Sequence, residues 1–197
     1  MTLYLASGSP RRAELLQQIA VPFTVLKAPD IDETPLDNED PQAYVERMAL
    51  EKSRVGELRR QAEGLPAGAV LGADTSVVLE NLILGKPESR NHALAMLAAL
   101  SGNEHRVITA LALTCGASCQ VATSITRVRF RDLTDREMAR YVATGEGNDK
   151  AGGYGIQGLG AALVAQITGS YSGVVGLPLE QTVALLEQAG IDYWCID

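Results

Sequence analysis

Short apolar segments alternate along this chain with longer segments whose apolar residues recur at helical spacing. Strands and helices that alternate in this way pack as a sheet covered by helices, so the pattern predicts an α/β fold. We predict strands at 3–6, 23–26, 69–73, 76–79, 82–84, 106–114, 120–131, 163–168 and 193–196. Helices are predicted at 10–20, 41–62, 89–100, 134–144 and 178–189.

Two long predicted strands, 106–114 and 120–131, are joined by a short turn containing the letters CGAS. Strands joined so closely form an antiparallel hairpin, which predicts a mixed, twisted sheet flanked by helices.

With 197 residues the chain can bury a full core as one domain, and we predict a single domain over 1–197. Its three cysteines are too few for a disulfide framework.

Charge and hydropathy narrow the classes of partner. The formal net charge is −7, whereas a nucleic-acid polymer needs a basic surface, so we expect no such partner. No apolar run approaches the ~18 residues of a membrane span, and no signal peptide is recognisable, which predicts a cytoplasmic protein without a membrane partner. The negative net charge still allows a small anionic ligand if a few residues at the binding site supply local positive charge.

The letters SGSPRR at positions 7–12 mark a turn between the first strand and the first helix. Ser9 suits the N-cap and Pro10 the first helical position, which leaves Arg11 and Arg12 in the first turn. Cations are disfavoured there because the helix dipole is already positive. Either both arginines point into water, or the turn binds an anion such as a phosphate.

Three other charged positions, Asp74, Lys52 and Glu33, also have either a structural or a ligand-binding interpretation. Asp74 follows an apolar run that we expect to end at Asp74-Thr75, as a turn aspartate or as a carboxylate at a sheet crevice. Lys52 falls on the apolar face of the helix at 41–62, where it either extends to water or holds an anion at the rim of the core. Glu33 and Asp74 could together supply oxygen ligands to a magnesium ion, with Lys86 among the cations that hold the phosphate.

A glycine-dense segment spans positions 145–160, and within it Gly153, Gly155 and Gly158 match the pattern G-x-G-x-x-G. A dinucleotide-binding fingerprint must follow a strand and begin a helix. Here no strand precedes the glycines and a strand-like run follows them, so we reject a Rossmann fold. The glycines instead allow the backbone to approach a ligand closely.

The motifs together resemble the Maf family of nucleoside triphosphate pyrophosphatases over nearly the whole chain. The matching segments are LASGSPRR, DIDE, GADT, GKP, LSGNEHRVITALAL, DKAGGYGIQG and GSYSGVVGLPLEQT. This resemblance implies an inosine-triphosphatase-like fold of two lobes with a central cleft, a homodimer in many members, and a link to septum formation in some. It also implies hydrolysis of a nucleoside triphosphate to the monophosphate and pyrophosphate with a divalent metal cation, Mg²⁺ or Mn²⁺.

Within that family the chain is similar to the subfamily acting on dTTP and UTP. The resemblance implies that Asp74 is the proton acceptor and that Lys52 and Lys86 also belong to the catalytic residues. It further implies that Glu33 and Asp74 face the metal. The positions that bind substrate or set its specificity are Ser9, Arg11, Arg12, Thr75 and Gln157. One departure is Gly147, where the family more often has proline.

Gln157 is the residue that we expect to recognise the base. A uracil or thymine edge presents an N–H between two carbonyls, which a carboxamide with one donor and one acceptor end can pair. Alternatively, Gln157 only ties its own loop together. Two other functions stay open, namely a pyrophosphatase for modified purine triphosphates and a non-catalytic nucleotide-binding regulator of septum formation.

Overall fold

The computed structural model describes residues 1–26 and 31–196. Its strands are β1 (Thr2–Ala6), β2 (Phe23–Leu26), β3 (Gly68–Leu79), β4 (Leu82–Leu84), β5 (Glu104–Cys115), β6 (Ser118–Phe130) and β7 (Val164–Thr168). Its α-helices are α1 (Pro10–Gln18), α2 (Pro41–Ala62), α3 (Arg90–Leu100), α4 (Asp135–Ala143), α5 (Tyr171–Val175) and α6 (Leu179–Gln188). Asp30, the first residue of the DIDE motif, lies outside the described residues. None of the described helices is long and apolar enough to cross a lipid bilayer.

The strands form one mixed sheet in the order β2-β1-β3-β5-β6-β7, with β4 paired to β3. β1 runs parallel to β2 and β3, whereas the β3–β5, β5–β6 and β6–β7 pairs are antiparallel. The predicted mixed sheet flanked by helices and the predicted hairpin are therefore confirmed. The short helix α5 was not predicted, because five residues are too few to show helical periodicity.

The predicted strand at 193–196 is wrong. Backbone N–H groups of Trp194 and Cys195 donate to the carbonyls of Ile19 and Ala20 at 2.8 and 3.1 Å, at the end of α1. Trp194 has a φ of 55°, which interrupts the extended conformation that a strand requires. The apolar letters of this segment resemble an edge strand, but the segment packs against a helix end instead.

The predicted break in the third strand is also wrong, because β3 continues through Asp74 and Thr75. Its pairing with β5 runs without interruption from Ala69 to Val78. On the other edge of β3, the pairing with β1 extends only as far as Gly72, and the pairing with β4 begins only at Val77. The stretch between them has no partner on that edge among the described strands, and Asp74 and Thr75 lie in this gap.

Helix α2 covers one face of the sheet at very short range. Ala49 and Met48 pack in a buried cluster with Ile108 and Ala110 of β5. At Gly72 a Cβ atom would collide with the backbone of α2, so only glycine permits this approach. The close contact between α2 and β3 brings side chains of the helix directly over the gap in the edge of β3.

Candidate active site

A cleft of about 1180 Å³ opens at the gap between β1 and β4. Its walls come from the turn after β1, from α2 and β3, and from the glycine-dense segment before β7. Every site residue predicted from the sequence lines this cleft, namely Ser9, Arg11, Arg12, Glu33, Lys52, Asp74, Thr75, Lys86 and Gln157. The structure thus brings these residues together, and the role assigned to each stays a prediction.

Lys52 extends from α2 into the cleft and bridges two carboxylates. Its Nζ lies 2.7 Å from Asp74 Oδ1 and 2.7 Å from Glu33 Oε1. Only 13 % of the Lys52 side chain is exposed, so the ammonium does not extend into bulk water. The alternative in which Lys52 extends to water is therefore not observed, whereas its binding of an anion stays a prediction.

Glu33 is held from two sides. Its backbone carbonyl accepts a 2.8 Å hydrogen bond from the hydroxyl of Tyr44, while Lys52 contacts its carboxylate. Partial burial would raise the pKa of Glu33, but the hydrogen bond from Lys52 and the positive charges of Lys52, Lys86 and Arg12 outweigh it, and the pKa is lowered. Glu33 therefore stays ionised at neutral pH.

The two carboxylates fit a divalent cation that is shared with substrate. Each has a second oxygen besides the one that contacts Lys52. The described residues contain no group of three or more His, Cys, Asp or Glu side chains arranged to hold a metal alone. Mg²⁺ commonly binds through one or two carboxylates together with water and substrate phosphates, and Glu33 with Asp74 is a donor set of that kind.

Arg12 is buried, with 9 % of its surface exposed. Its guanidinium donates to Gly176 O at 2.8 Å, Ser7 Oγ at 3.1 Å and Thr75 Oγ1 at 3.2 Å. All three acceptors are uncharged, and burial lowers the pKa of Arg12, although an arginine remains protonated. The interpretation that both arginines point into water is therefore wrong for Arg12, whose positive charge faces the cleft.

The turn before α1 differs in detail from the prediction. Pro10 occupies the first helical position and Ser9 the N-cap, but the Ser9 hydroxyl does not cap the helix. Ser9 instead donates its backbone N–H to Ser7 Oγ at 3.2 Å. Arg11 is partly exposed and lies 3.6 Å from Asp149 on the glycine-dense segment. The turn therefore places Ser9 and Arg11 in the lining of the cleft, with Arg11 close to Asp149.

Sequence reasoning missed one buried polar residue that holds this wall, Thr109. Thr109 Oγ1 lies 2.9 Å from Thr75 Oγ1 and donates to Gly173 O at 2.8 Å, which extends the contacts of Arg12 into β5. Thr109 is fully buried in the middle of β5. The available signal was a hydroxyl at a central position of an otherwise apolar run, which requires a buried hydrogen-bond partner.

The glycine-dense segment forms the far wall of the cleft. It contains two short 3-10 turns, Ala151–Gly153 and Leu159–Leu163, and no α-helix follows the glycines of the G-x-G-x-x-G pattern. The rejection of a Rossmann fold is therefore confirmed. Gln157 lies between these turns and is exposed to the cleft, so its carboxamide is available to a ligand.

The chain is similar to known proteins over nearly its whole length. A model of the family described as "Maf-like protein" matches residues 2–189. A dTTP/UTP pyrophosphatase of Alcanivorax borkumensis is 61% identical over 197 residues, 100% of both chains. Another of Aromatoleum aromaticum is 52% identical over 196 residues, 95% of both chains. Among solved structures, the nucleoside-triphosphatase / dITP/XTP pyrophosphatase of Mycobacterium abscessus has 17% identity and a TM-score of 0.40, covering 66% of this chain and 73% of its own.

Proposed function

The chain belongs to the Maf-like protein family, and from this premise we propose that it hydrolyses dTTP and UTP to the nucleoside monophosphate and pyrophosphate. Relatives at 52% to 61% identity over 95% or more of both chains are named dTTP/UTP pyrophosphatase. The observation that carries the proposal is the meeting in one cleft of a buried guanidinium, whose hydrogen bonds to the described residues all go to uncharged acceptors, and a carboxylate pair bridged by Lys52.

Phosphate binding is the first task of these residues. The Arg12 guanidinium already uses part of its donor set to fix its plane, and among the described residues none of its hydrogen bonds goes to a carboxylate. A triphosphate oxygen would give Arg12 a direct anionic acceptor, and Arg11 and Lys86 line the same cleft. Charge neutralisation by positioned cations is the main contribution that a protein makes to phosphoryl transfer.

Asp74 is the group that we assign to activation of water. Lys52 holds Asp74 Oδ1, which leaves the second oxygen to accept a proton from a water molecule. That water attacks the α-phosphorus, the bond to the bridging oxygen breaks, and pyrophosphate leaves. Lys52 thus orients the carboxylate, and its positive charge stabilises negative charge that develops nearby.

A divalent cation belongs to this proposal. Glu33 and Asp74 would hold it, together with phosphate oxygens and water. When bound, the cation neutralises charge on the phosphate oxygens. Chelation with EDTA should abolish pyrophosphate release, and added Mg²⁺ or Mn²⁺ should restore it. Full activity after exhaustive chelation would contradict this part.

We further propose that the enzyme acts as a cytoplasmic homodimer on free nucleotides. The acidic net charge of −7 disfavours nucleic-acid polymers, and the resemblance to the Maf family implies a homodimer in many members. Sedimentation equilibrium of the purified chain measures the assembly directly. A single species of the monomer mass, 20.9 kDa, at micromolar concentration would overturn the dimer.

The function itself is tested with a panel of triphosphates. We expect pyrophosphate release from dTTP and UTP at much higher kcat/KM than from ATP, GTP or the modified purine substrates ITP and XTP. Preference for a modified purine would favour the purine pyrophosphatase. Tight binding of all triphosphates without release from any would favour the regulator of septum formation.

A further inference from the structure

The carboxylate of Glu146, a residue with no role in the proposed reaction, lies beside the loop that carries Gln157. Its Oε1 accepts hydrogen bonds from the hydroxyl of Tyr141 at 2.9 Å and from Gly160 N at 2.8 Å. Its Oε2 accepts from Leu159 N at 2.7 Å. Three donors on one carboxylate are characteristic of an organising contact.

Tyr141 extends this contact to the other side of the loop. Its hydroxyl donates to Glu146 and accepts a 2.9 Å hydrogen bond from Gly155 N. Tyr141 is buried at the end of α4, so its ring is fixed by the core. Backbone amides two residues before and two residues after Gln157 are thus held by one carboxylate, directly or through one hydroxyl.

Local packing makes this arrangement specific. At Gly158 a Cβ atom would collide with the Glu146 carboxylate, so a larger residue there would force this carboxylate to move relative to its backbone donors Leu159 and Gly160. Glu146 is itself held, since Lys150 Nζ donates to its backbone carbonyl at 2.6 Å. Gln157 remains exposed while the backbone around it is fixed, which lowers the ordering cost when its side chain binds a ligand.

We propose that Glu146 and Tyr141 are positioning residues that set the selectivity of the enzyme for pyrimidine bases by fixing the loop around Gln157. This inference rests on the proposed function. Neither residue is assigned to the phosphates or to Asp74, so their loss should weaken recognition of the base and leave phosphoryl transfer nearly intact.

The test compares Glu146→Gln and Tyr141→Phe with the matched control Glu137→Gln. A glutamine at 146 keeps the shape but offers one amide N–H₂ where an acceptor is needed. Glu137 likewise accepts a backbone hydrogen bond, from Thr134 N at 2.9 Å, but it lies outside the cleft lining. Glu146→Gln and Tyr141→Phe should each raise KM for UTP about tenfold with kcat within about threefold of wild type, the range expected for one unpaired amide.

The decisive readout is the ratio of kcat/KM for UTP to that for GTP. This ratio should fall about tenfold in Glu146→Gln, in Tyr141→Phe and in the double variant alike, because the two residues act through one hydrogen-bonded pair. It should stay unchanged in Glu137→Gln. An unchanged ratio, or an equal loss for both nucleotides, would overturn the inference. Tyr141→Phe keeps the test valid if Glu146→Gln does not fold.

A second measurement separates this inference from the proposed function. Hydrogen exchange of the ligand-free protein should speed up at residues 155–160 in Glu146→Gln and not in Glu137→Gln. If wild type hydrolyses no triphosphate, the proposed function fails, and calorimetric binding of UMP and GMP then replaces turnover as the selectivity readout. Faster exchange with unchanged nucleotide selectivity would overturn the positioning role.

Discussion

Lys52 on α2 and Asp74 on β3 approach within 2.7 Å of each other, with the hydrogen bond directed to one oxygen of the carboxylate. The contact forms where the edge of β3 has no strand partner among the described residues, between the end of β1 and the start of β4. The lysine thus holds the carboxylate at the base of an open cleft. The first two predictions concern this pair.

Asp74→Asn should reduce pyrophosphate release by about 10²-fold to 10⁴-fold, because a carboxamide cannot accept the proton of the attacking water. The unfolding temperature should change little, since asparagine keeps the shape and can still contact Lys52. Asp192→Asn, at an exposed position outside the cleft, is the control and should keep full activity. Activity within a few-fold of wild type would remove Asp74 from the proton-acceptor role.

Lys52→Met should reduce both activity and stability. Removal of the ammonium leaves Asp74 and Glu33 close together without their counter-ion, and breaking a partly buried ion pair destabilises a fold by at least about 1 kcal/mol. Arg54→Met, at an exposed position of the same helix, should cost less than about 0.5 kcal/mol. Urea unfolding of both variants at neutral pH measures the difference, and equal losses would contradict the ion-pair account.

Arg12→Met should abolish stabilisation of the protein by pyrophosphate. In wild type the buried guanidinium donates only to uncharged acceptors among the described residues, so a bound anion adds a direct charged partner. A ligand at a hundred times its Kd stabilises by about 2.7 kcal/mol. Thermal unfolding in EDTA, with and without pyrophosphate, isolates this contribution from any metal. Arg136→Met, exposed on α4, should keep the wild-type shift. A full shift in Arg12→Met would place the anion elsewhere.

Gln157→Glu should lower kcat/KM for UTP by an amount equivalent to about 1–3 kcal/mol, because the carboxylate loses the donor and faces a base carbonyl. Turnover of GTP should change less, so the pyrimidine-to-purine ratio falls. Measuring both nucleotides in one preparation distinguishes base recognition from damage to the loop. An equal loss for both would mean that Gln157 only ties its loop together.

Stability should fall as the pH is lowered from about 6.5 to about 4, through His105. Burial lowers the pKa of His105 to about 4, and its Nδ1 has no hydrogen-bond partner among the described residues. The unfolded chain therefore binds a proton in this range that the folded chain does not, which removes about 3 kcal/mol of stability when complete. His105→Gln keeps a polar partner for Tyr154, which lies 2.8 Å from Nε2 in wild type, and should flatten this dependence.

The control for this prediction is His92→Gln, because His92 is exposed on α3. Unfolding free energies measured every half pH unit should show the wild-type slope in His92→Gln and a shallower one in His105→Gln. Equal slopes in all three proteins would mean that other groups cause the acid sensitivity.

Helix starts and the hairpin depend on residues that are close in the sequence, so the sequence alone could predict them. Asp40 caps α2 by accepting from the backbone of Gln42 and Ala43, and Thr134 with Glu137 forms a capping box at the start of α4, where the sequence predicted a helix. The β5–β6 hairpin likewise follows from two apolar runs with a short turn between them. Contacts within four residues, or across a tight turn, have few alternatives, so local chemistry determines them.

The cleft depended on contacts between distant parts of the chain. Lys52 meets Asp74 from 22 positions away, Arg12 meets Gly176 from 164, and Thr109 meets Thr75 from 34. The same apolar pattern that predicted β3 could not show that β1 and β4 leave part of its edge unpaired, and the pattern at 193–196 suggested a strand that does not form. Hydrophobic periodicity specifies which face of an element is buried but not which element covers it, so only the packed sheet decided where these charges meet.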